Sequence, residues 1–322
     1  MQHRDWLEKS TLPPVAVLGA SGRIGRVLRA WWPEAAPVTW IARRPMEGGM
    51  RCDPLAEPER LAEILSAAGV RAVLSLAGPV PGGAGGANSA GTETDLAAHA
   101  ALARVLLGAV PAGVPVLLAS SAAVYGRPEE TGDDSWLSEA APLPPRAALS
   151  PYGQAKFDME AAVLAARAAP AIAPVTCLRI GNVAGLDAVL GGWRAGFRLD
   201  AFPDGRTPRR SYIGPGQLAA VLAALLMRAG VRSGAGQGLP AVLPAVLNVA
   251  APGTVEMGAL LEAAGLDHGR RPAPPTAIPR VALDTRLLLA HLPGDLAAAM
   301  APVTAPALVA DWRATQARLP RA

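Results

Sequence analysis

Val15-Ala-Val-Leu18-Gly19-Ala-Ser21-Gly22-Arg23-Ile24-Gly25 is the stretch that decides how this chain is read. Val15 to Leu18 is an apolar run bounded by Pro14 and Gly19, which predicts a short buried strand. Gly22 to Trp32 carries helix spacing and is stopped by Pro33. Three glycines spaced by three fill the junction, each with its own physical reason. Gly19 permits the tight turn, Gly22 lets backbone approach a pyrophosphate, and Gly25 lets the helix sit close to the strand. The helix start then offers unpaired N–H groups and a partial positive charge to phosphate. With 34 glycines in the chain the spacing alone is weak. Its position, after a first strand and at the head of a helix, is what predicts a dinucleotide site.

Working outward, apolar runs and helical segments alternate. Strands are predicted at Val38–Ala42, Ala72–Ala77, Val116–Ser120 and Val175–Ile180, and helices at Leu55–Ala68, Glu93–Val110 and from Ser150 to about residue 168. The strands are apolar throughout rather than alternating with polar residues, which marks a parallel sheet covered on both faces. The expected fold is therefore α/β, a Rossmann-type doubly wound parallel sheet with helices on both faces and a smaller C-terminal substrate-binding lobe. Residues 1–180 are read as the NAD(P)-binding domain. Residues 181–322 mainly shape substrate, with helices near 214–229, 253–264 and 304–318 and some segments returning to the sheet. Residues 78–92 and 126–149 read as loops.

The nature of the cofactor is decided after the second strand. An NAD enzyme usually places an acid there for the ribose 2′-hydroxyl. This chain reads Ala42-Arg43-Arg44, with no carboxylate, and an arginine fork suits a 2′-phosphate. Arg23 could add a second cation. NADP is favoured over NAD. Asp53, after the third strand, is a candidate for the adenine amino group.

Tyr152-Gly-Gln-Ala-Lys156 is the second motif. Only three tyrosines and two lysines, Lys9 and Lys156, occur in the chain. The pair at this spacing would arise by chance roughly 0.02 times, so the match is informative. Ser150 caps the helix, Pro151 opens it, and a spacing of four puts both side chains on one face. A free tyrosine titrates near pH ~10. A nearby ammonium and the nicotinamide charge favour the phenolate, so the phenol can serve as acid or base. Ser120-Ser121 ends a predicted strand, at the sheet edge where open α/β sheets hold their sites. Ser121 is preferred over Ser120 as the group that steers the substrate oxygen toward Tyr152.

The remaining composition narrows the function classes. The formal charge is +4, but the arginines are scattered, which argues against nucleic acid. Cys52 and Cys177 lie far apart and form no metal or disulfide pattern. His3, His99, His268 and His291 show no metal-ligand spacing and no GxSxG elbow is present, so each histidine reads as a surface or core residue. The start of the sequence is too polar for a signal peptide, and the uncharged stretch 233–255 is broken by glycines and prolines. A cytoplasmic protein with no membrane partner is expected.

Gly19-Ala-Ser-Gly-Arg-Ile-Gly25, Ser120-Ser-Ala-Ala-Val-Tyr-Gly126, Tyr152-Gly-Gln-Ala-Lys156 and Leu178-Arg-Ile-Gly-Asn-Val-Ala-Gly185, in this order, resemble the extended short-chain dehydrogenase/reductase family, in its NAD-dependent epimerase/dehydratase group. The resemblance covers about the first 185 residues. It implies that Tyr152 is the general acid/base, that Lys156 binds the nicotinamide ribose and lowers the Tyr152 pKa, and that Ser121 polarises substrate. It also implies that Leu76-Ala77-Gly78 lines the cofactor. Asn182 and Arg210 resemble residues that contact substrate phosphate in sugar-nucleotide epimerases. The usual Asp and His that follow that arginine are Ser211 and Gly214 here, and the usual acid before the next helix is absent near Gln217. Family members often dimerise through helices corresponding to 93–110 and 150–168. Three functions follow: an NADP-dependent carbonyl or alcohol oxidoreductase, a nucleotide-sugar epimerase or dehydratase holding NAD tightly, and a non-catalytic NADP sensor, against which the intact tyrosine and lysine speak.

Overall fold

The computed structural model describes residues 3–79, 93–129, 132, 134–166, 174–230 and 243–320. The first half of the chain runs α1 (His3–Lys9), β1 (Val15–Leu18), α2 (Arg23–Trp31), β2 (Val38–Ala42), β3 (Met50–Arg51), α3 (Pro58–Ala67), β4 (Ala72–Ser75), α4 (Glu93–Ala109), β5 (Val116–Ser121), α5 (Pro151–Ala166) and β6 (Val175–Ile180). Short elements follow: β7 (Asn182–Val183), β8 (Arg198–Ala201), β9 (Arg209–Arg210) and β10 (Tyr212–Ile213). The remainder is α6 (Pro215–Gly230), β11 (Val246–Val249), β12 (Val255–Glu256), α7 (Met257–Ala264), β13 (Gly269–Pro272), β14 (Arg280–Val281), α8 (Arg286–His291), α9 (Gly294–Ala299) and α10 (Ala305–Gln316).

Seven strands form one parallel sheet in the order β11-β6-β5-β4-β1-β2-β3. Consecutive residues of the central strands feed two different cores. Val15 and Val17 of β1, Leu74 of β4 and Leu178 of β6 join Val27 and Leu28 of α2 and the apolar length of α6 on one face. Ala16 and Leu18, Val73, Val116 and Cys177 join α3, α4 and α5 on the other. This is why the strands read as continuous apolar runs. The chain reverses direction across the sheet between β1 and β4, and that switch point opens a crevice at the carboxyl ends of the strands. A separate cluster, built on Leu190, Tyr212, Leu260, Leu261 and Leu308, lies in the later part of the chain.

The expected loop at 78–92 lies outside the described residues from residue 80 onward, as does the stretch 231–242. The third helix starts at Pro58 rather than at Leu55. Asp53 Oδ1 accepts from the Leu55 amide at 3.1 Å, so these residues turn, and Leu55 is exposed. The expected acid at the head of α6 is replaced from a distance. Asp311 of α10 accepts from the amides of Gly216 and Gln217 at 3.0 and 3.1 Å. Gly214 leaves the room for it, since a Cβ there would overlap the Asp311 carboxylate. His3 of α1 stands 3.6 Å from the same carboxylate.

Candidate active site

The glycine loop is a cradle that side chains would fill. Gly19 has φ +83°, and a Cβ on it would stand 2.8 Å from the backbone of Leu76 and Ala77. A Cβ on Gly25 would stand 2.5 Å from the Gly19 carbonyl oxygen. Gly22 caps α2 with no side-chain hydrogen bond, so the first amides of the helix are open to an anion. Ser21 is exposed and Ile24 packs against the core beneath. Leu76, Ala77 and Gly78 follow β4 directly, and the backbone of Leu76 and Ala77 lines the far side of the turn. The residues present fit a dinucleotide pyrophosphate. Gly25→Ala is expected to weaken nicotinamide dinucleotide binding at least about tenfold by forcing α2 away from the loop. Isothermal titration against the parent protein measures this.

Arg43 and Arg44 are exposed where the chain leaves β2, and Ala42 before them is buried. Arg23, considered as a second cation for the 2′-phosphate, is exposed on the loop. Its Nη1 donates to the Leu186 carbonyl at 2.8 Å, and its charge acts on the Tyr152 phenol. It therefore spans the crevice on the reactive side. Asp53 is half-buried, and its carboxylate caps its own turn.

Tyr152 and Lys156 start α5. Ser150 Oγ accepts from the Gly153 amide at 3.2 Å, and Pro151 opens the helix. Ser121 ends β5, its hydroxyl accepts from the Ala123 amide at 3.2 Å, and its side chain acts on the Tyr152 phenol. Burial raises the phenol above its ordinary value, while Ser121 and then Arg23 pull it down. The expected fall toward neutrality is therefore not a property of these residues alone. Lys156 is buried, and its ammonium lies 5.7 Å from the Tyr152 ring centre. It donates to the Ala119 carbonyl at 2.7 Å, and burial lowers its pKa to about 7.

The two adjacent serines separate by strand alternation. Ser121 faces Tyr152. Ser120 faces away and donates to Glu160 Oε1 at 2.5 Å. Glu160 is one turn beyond Lys156 and pairs with Arg179 of β6 at 2.8 Å, both groups being buried. Arg179 in turn donates to the Tyr125 hydroxyl at 3.0 Å, and Tyr125 donates to Asn248 Oδ1 of β11 at 2.8 Å. This network was not read from the sequence. Its one visible signal was an arginine inside an otherwise apolar strand.

His99 is one of the histidines read from the sequence as surface or core residues, and it is buried. It is a core residue of α4, but it lies against both catalytic candidates. Its Nδ1 is 3.2 Å from the Lys156 ammonium, and its ring meets Tyr152 edge-on at 6.0 Å between centres.

Asn182 and Arg210 lie on β7 and β9, next to β10. The Tyr212 hydroxyl donates to Asp187 Oδ2 at 2.8 Å, and the Asn182 side chain acts on the same phenol. The Arg210 guanidinium donates to the carbonyls of Arg209 and Ile278, each at 2.8 Å, and burial lowers its pKa to about 10. Ser211, in place of the usual acid, donates to the Gly253 carbonyl and accepts from the Leu283 amide. No group of three or more metal-ligating side chains occurs among the described residues, and no helix among them is long and apolar enough to cross a membrane.

The family model described as the NAD dependent epimerase/dehydratase family matches residues 15–191. Among solved structures, a UDP-glucose-4-epimerase from Stenotrophomonas maltophila, with bound NAD and formylated UDP-arabinopyranose, is similar over 94% of this chain and 98% of its own. The TM-score is 0.71 at 19% identity. A UDP-glucose 4-epimerase from Brucella ovis in complex with NAD covers 92% and 95% with a TM-score of 0.69 at 17% identity. An NAD dependent NDP-hexosamine 5,6-dehydratase involved in tunicamycin biosynthesis covers 93% and 97% with a TM-score of 0.66 at 21% identity. No curated protein matches the chain.

Proposed function

The chain belongs to the NAD dependent epimerase/dehydratase family of extended short-chain dehydrogenase/reductases, and on that footing we propose that it is an NADP-linked oxidoreductase acting on a carbonyl or alcohol carbon. The observation that carries this reading is the Lys156 ammonium 5.7 Å from the Tyr152 ring centre on one face of α5, with the Ser121 side chain acting on the same phenol. Two hydroxyls presented together suit one substrate oxygen. In reduction Tyr152 gives its proton to that oxygen, and in oxidation it takes the proton back. Ser121 donates to the same oxygen and fixes its position. Lys156 favours the phenolate through its charge and offers hydrogen bonds to the nicotinamide ribose. Bound nicotinamide supplies or accepts the hydride. Residues 1–180 would hold the cofactor and 181–322 mainly shape the substrate pocket, with α6 and β11 returning to the sheet.

NADP is preferred because β2 ends in two exposed arginines with no carboxylate before them. The test is a fluorescence titration with NADPH and NADH. NADPH is expected to bind more tightly. Arg43→Ala combined with Arg44→Ala should weaken NADPH by about 10- to 100-fold, the worth of one or two hydrogen bonds to a charged group. NADH should be nearly unaffected. Equal losses for both would overturn the 2′-phosphate assignment.

A second reading is a nucleotide-sugar epimerase or dehydratase using tightly held NAD. The placement of Asn182 beside β10 and of Arg210 on β9 favours it, while the carbonyls already bound to Arg210 weigh against it. NAD that copurifies with the protein would put this reading first. The substrate is in either case a small molecule, and a homodimer through α4 and α5 is the expected assembly.

A further inference from the structure

We propose that His99 is a positioning residue for Lys156: its Nδ1 accepts a hydrogen bond from the ammonium, and its Nε2 anchors the ring to the turn after β4. The proposal rests on the reading that places Lys156 at the reactive centre. Three contacts define the ring. Nε2 lies 2.8 Å from the Pro79 carbonyl, which can only accept, so Nε2 carries the hydrogen. In a neutral ring Nδ1 is then the acceptor, and Lys156 stands 3.2 Å from it. The ring edge faces Tyr152 at an interplanar angle of 70°. Burial and the Lys156 charge hold the imidazole pKa down at about 3, so the ring is an acceptor throughout the neutral range.

The turn is shaped around this ring. Gly78 has φ +141°, and a Cβ there would stand 2.2 Å from the imidazole. Any other residue would push His99 off Lys156. His99 therefore joins the segment that lines the glycine loop to the ammonium one turn beyond Tyr152. Ala119 and His99 take two of the three ammonium hydrogens. One remains for a ligand. The titratable or charged groups around Lys156 are His99 of α4, Tyr152 and Glu160 of α5, and Cys177 of β6, with Arg179 neutralising Glu160.

A neutral acceptor facing a buried ammonium favours its charged form. Loss of His99 should therefore lower the Lys156 pKa further. With only two lysines in the chain, side-chain ¹³C and ¹⁵N labelling of lysine gives two signals, and Lys9 serves as the reference. The titration needs neither cofactor nor substrate. His99→Leu is expected to move the Lys156 midpoint down by about one unit or more. His99→Asn places an amide oxygen near the Nδ1 position and should restore the midpoint to within about 0.3 unit of the parent. His99→Gln carries its acceptor toward the Nε2 position and should behave like His99→Leu, which keeps the comparison intact if the leucine variant does not fold. A Lys156 midpoint unchanged in His99→Leu or His99→Gln, or not restored in His99→Asn, would overturn the assignment. A fully active Tyr152→Phe variant would instead sink the catalytic reading and leave this titration unaffected.

Discussion

Replacing Tyr152 with phenylalanine is expected to lower kcat by about 10²- to 10⁴-fold, with NADPH affinity within about twofold of the parent. The substitution removes one oxygen and keeps the ring. The edge contact with His99 at 6.0 Å and the cation face toward Lys156 therefore survive. On the proposed function, what is lost is the proton that reaches the substrate oxygen in the transition state, and the Ser121 hydroxyl has no partner with which to share that oxygen. A thousandfold fall corresponds to about 4 kcal/mol of transition-state stabilisation. An interaction made only in the transition state lowers kcat and kcat/KM together. Steady-state kinetics with the preferred cofactor, after a carbonyl substrate has been found, measures it. Activity close to that of the parent would assign proton transfer to another group.

The second large effect concerns stability. Glu160→Ala is expected to lower the unfolding free energy by about 3–5 kcal/mol, because it strands a buried guanidinium. Arg179 has only 4% of its surface exposed, and Glu160 supplies its carboxylate contacts at 2.8 and 3.2 Å. The hydroxyl of Ser120 would lose its acceptor as well. Replacing both charges, Glu160→Leu with Arg179→Met, should cost less than Glu160→Ala alone, since no buried charge is then left over. Urea unfolding of Glu160→Leu, Arg179→Met and the double variant closes the cycle. A double variant as unstable as the sum of the singles would show that the pair itself contributes little beyond packing. Glu160 also raises the Lys156 pKa, so the stability defect should travel with a lower lysine midpoint.

The residues that announce themselves in the sequence are those whose chemistry is local. Gly19, Gly22 and Gly25 form one turn, and Tyr152 and Lys156 share one helical face, so spacing alone places them. The apolar strands were legible for a related reason: alternate residues feed opposite cores, and both cores are apolar. His99, Arg179 and Asn248 were not legible, because each acts on a partner in another element. His99 meets a lysine 57 positions away, and Asn248 a tyrosine 123 positions away. Helical periodicity shows which face of α4 is buried but not what lies opposite. The Arg23 contact was not legible for the same reason: its position in the loop is plain, but the carbonyl that receives its guanidinium belongs to Leu186.

The Asp311 carboxylate sets an order of events during synthesis. It binds the first amides of α6 from 95 positions further along the chain. α6 is apolar on nearly every side and is buried across one face of the sheet. A ribosome adding roughly 5–20 residues per second exposes that helix for seconds before the group that finishes its start has been made. Over that interval the nascent chain presents this apolar helix with its start incompletely closed. Chaperone dependence and aggregation of translation intermediates should therefore concentrate between the emergence of α6 and that of α10.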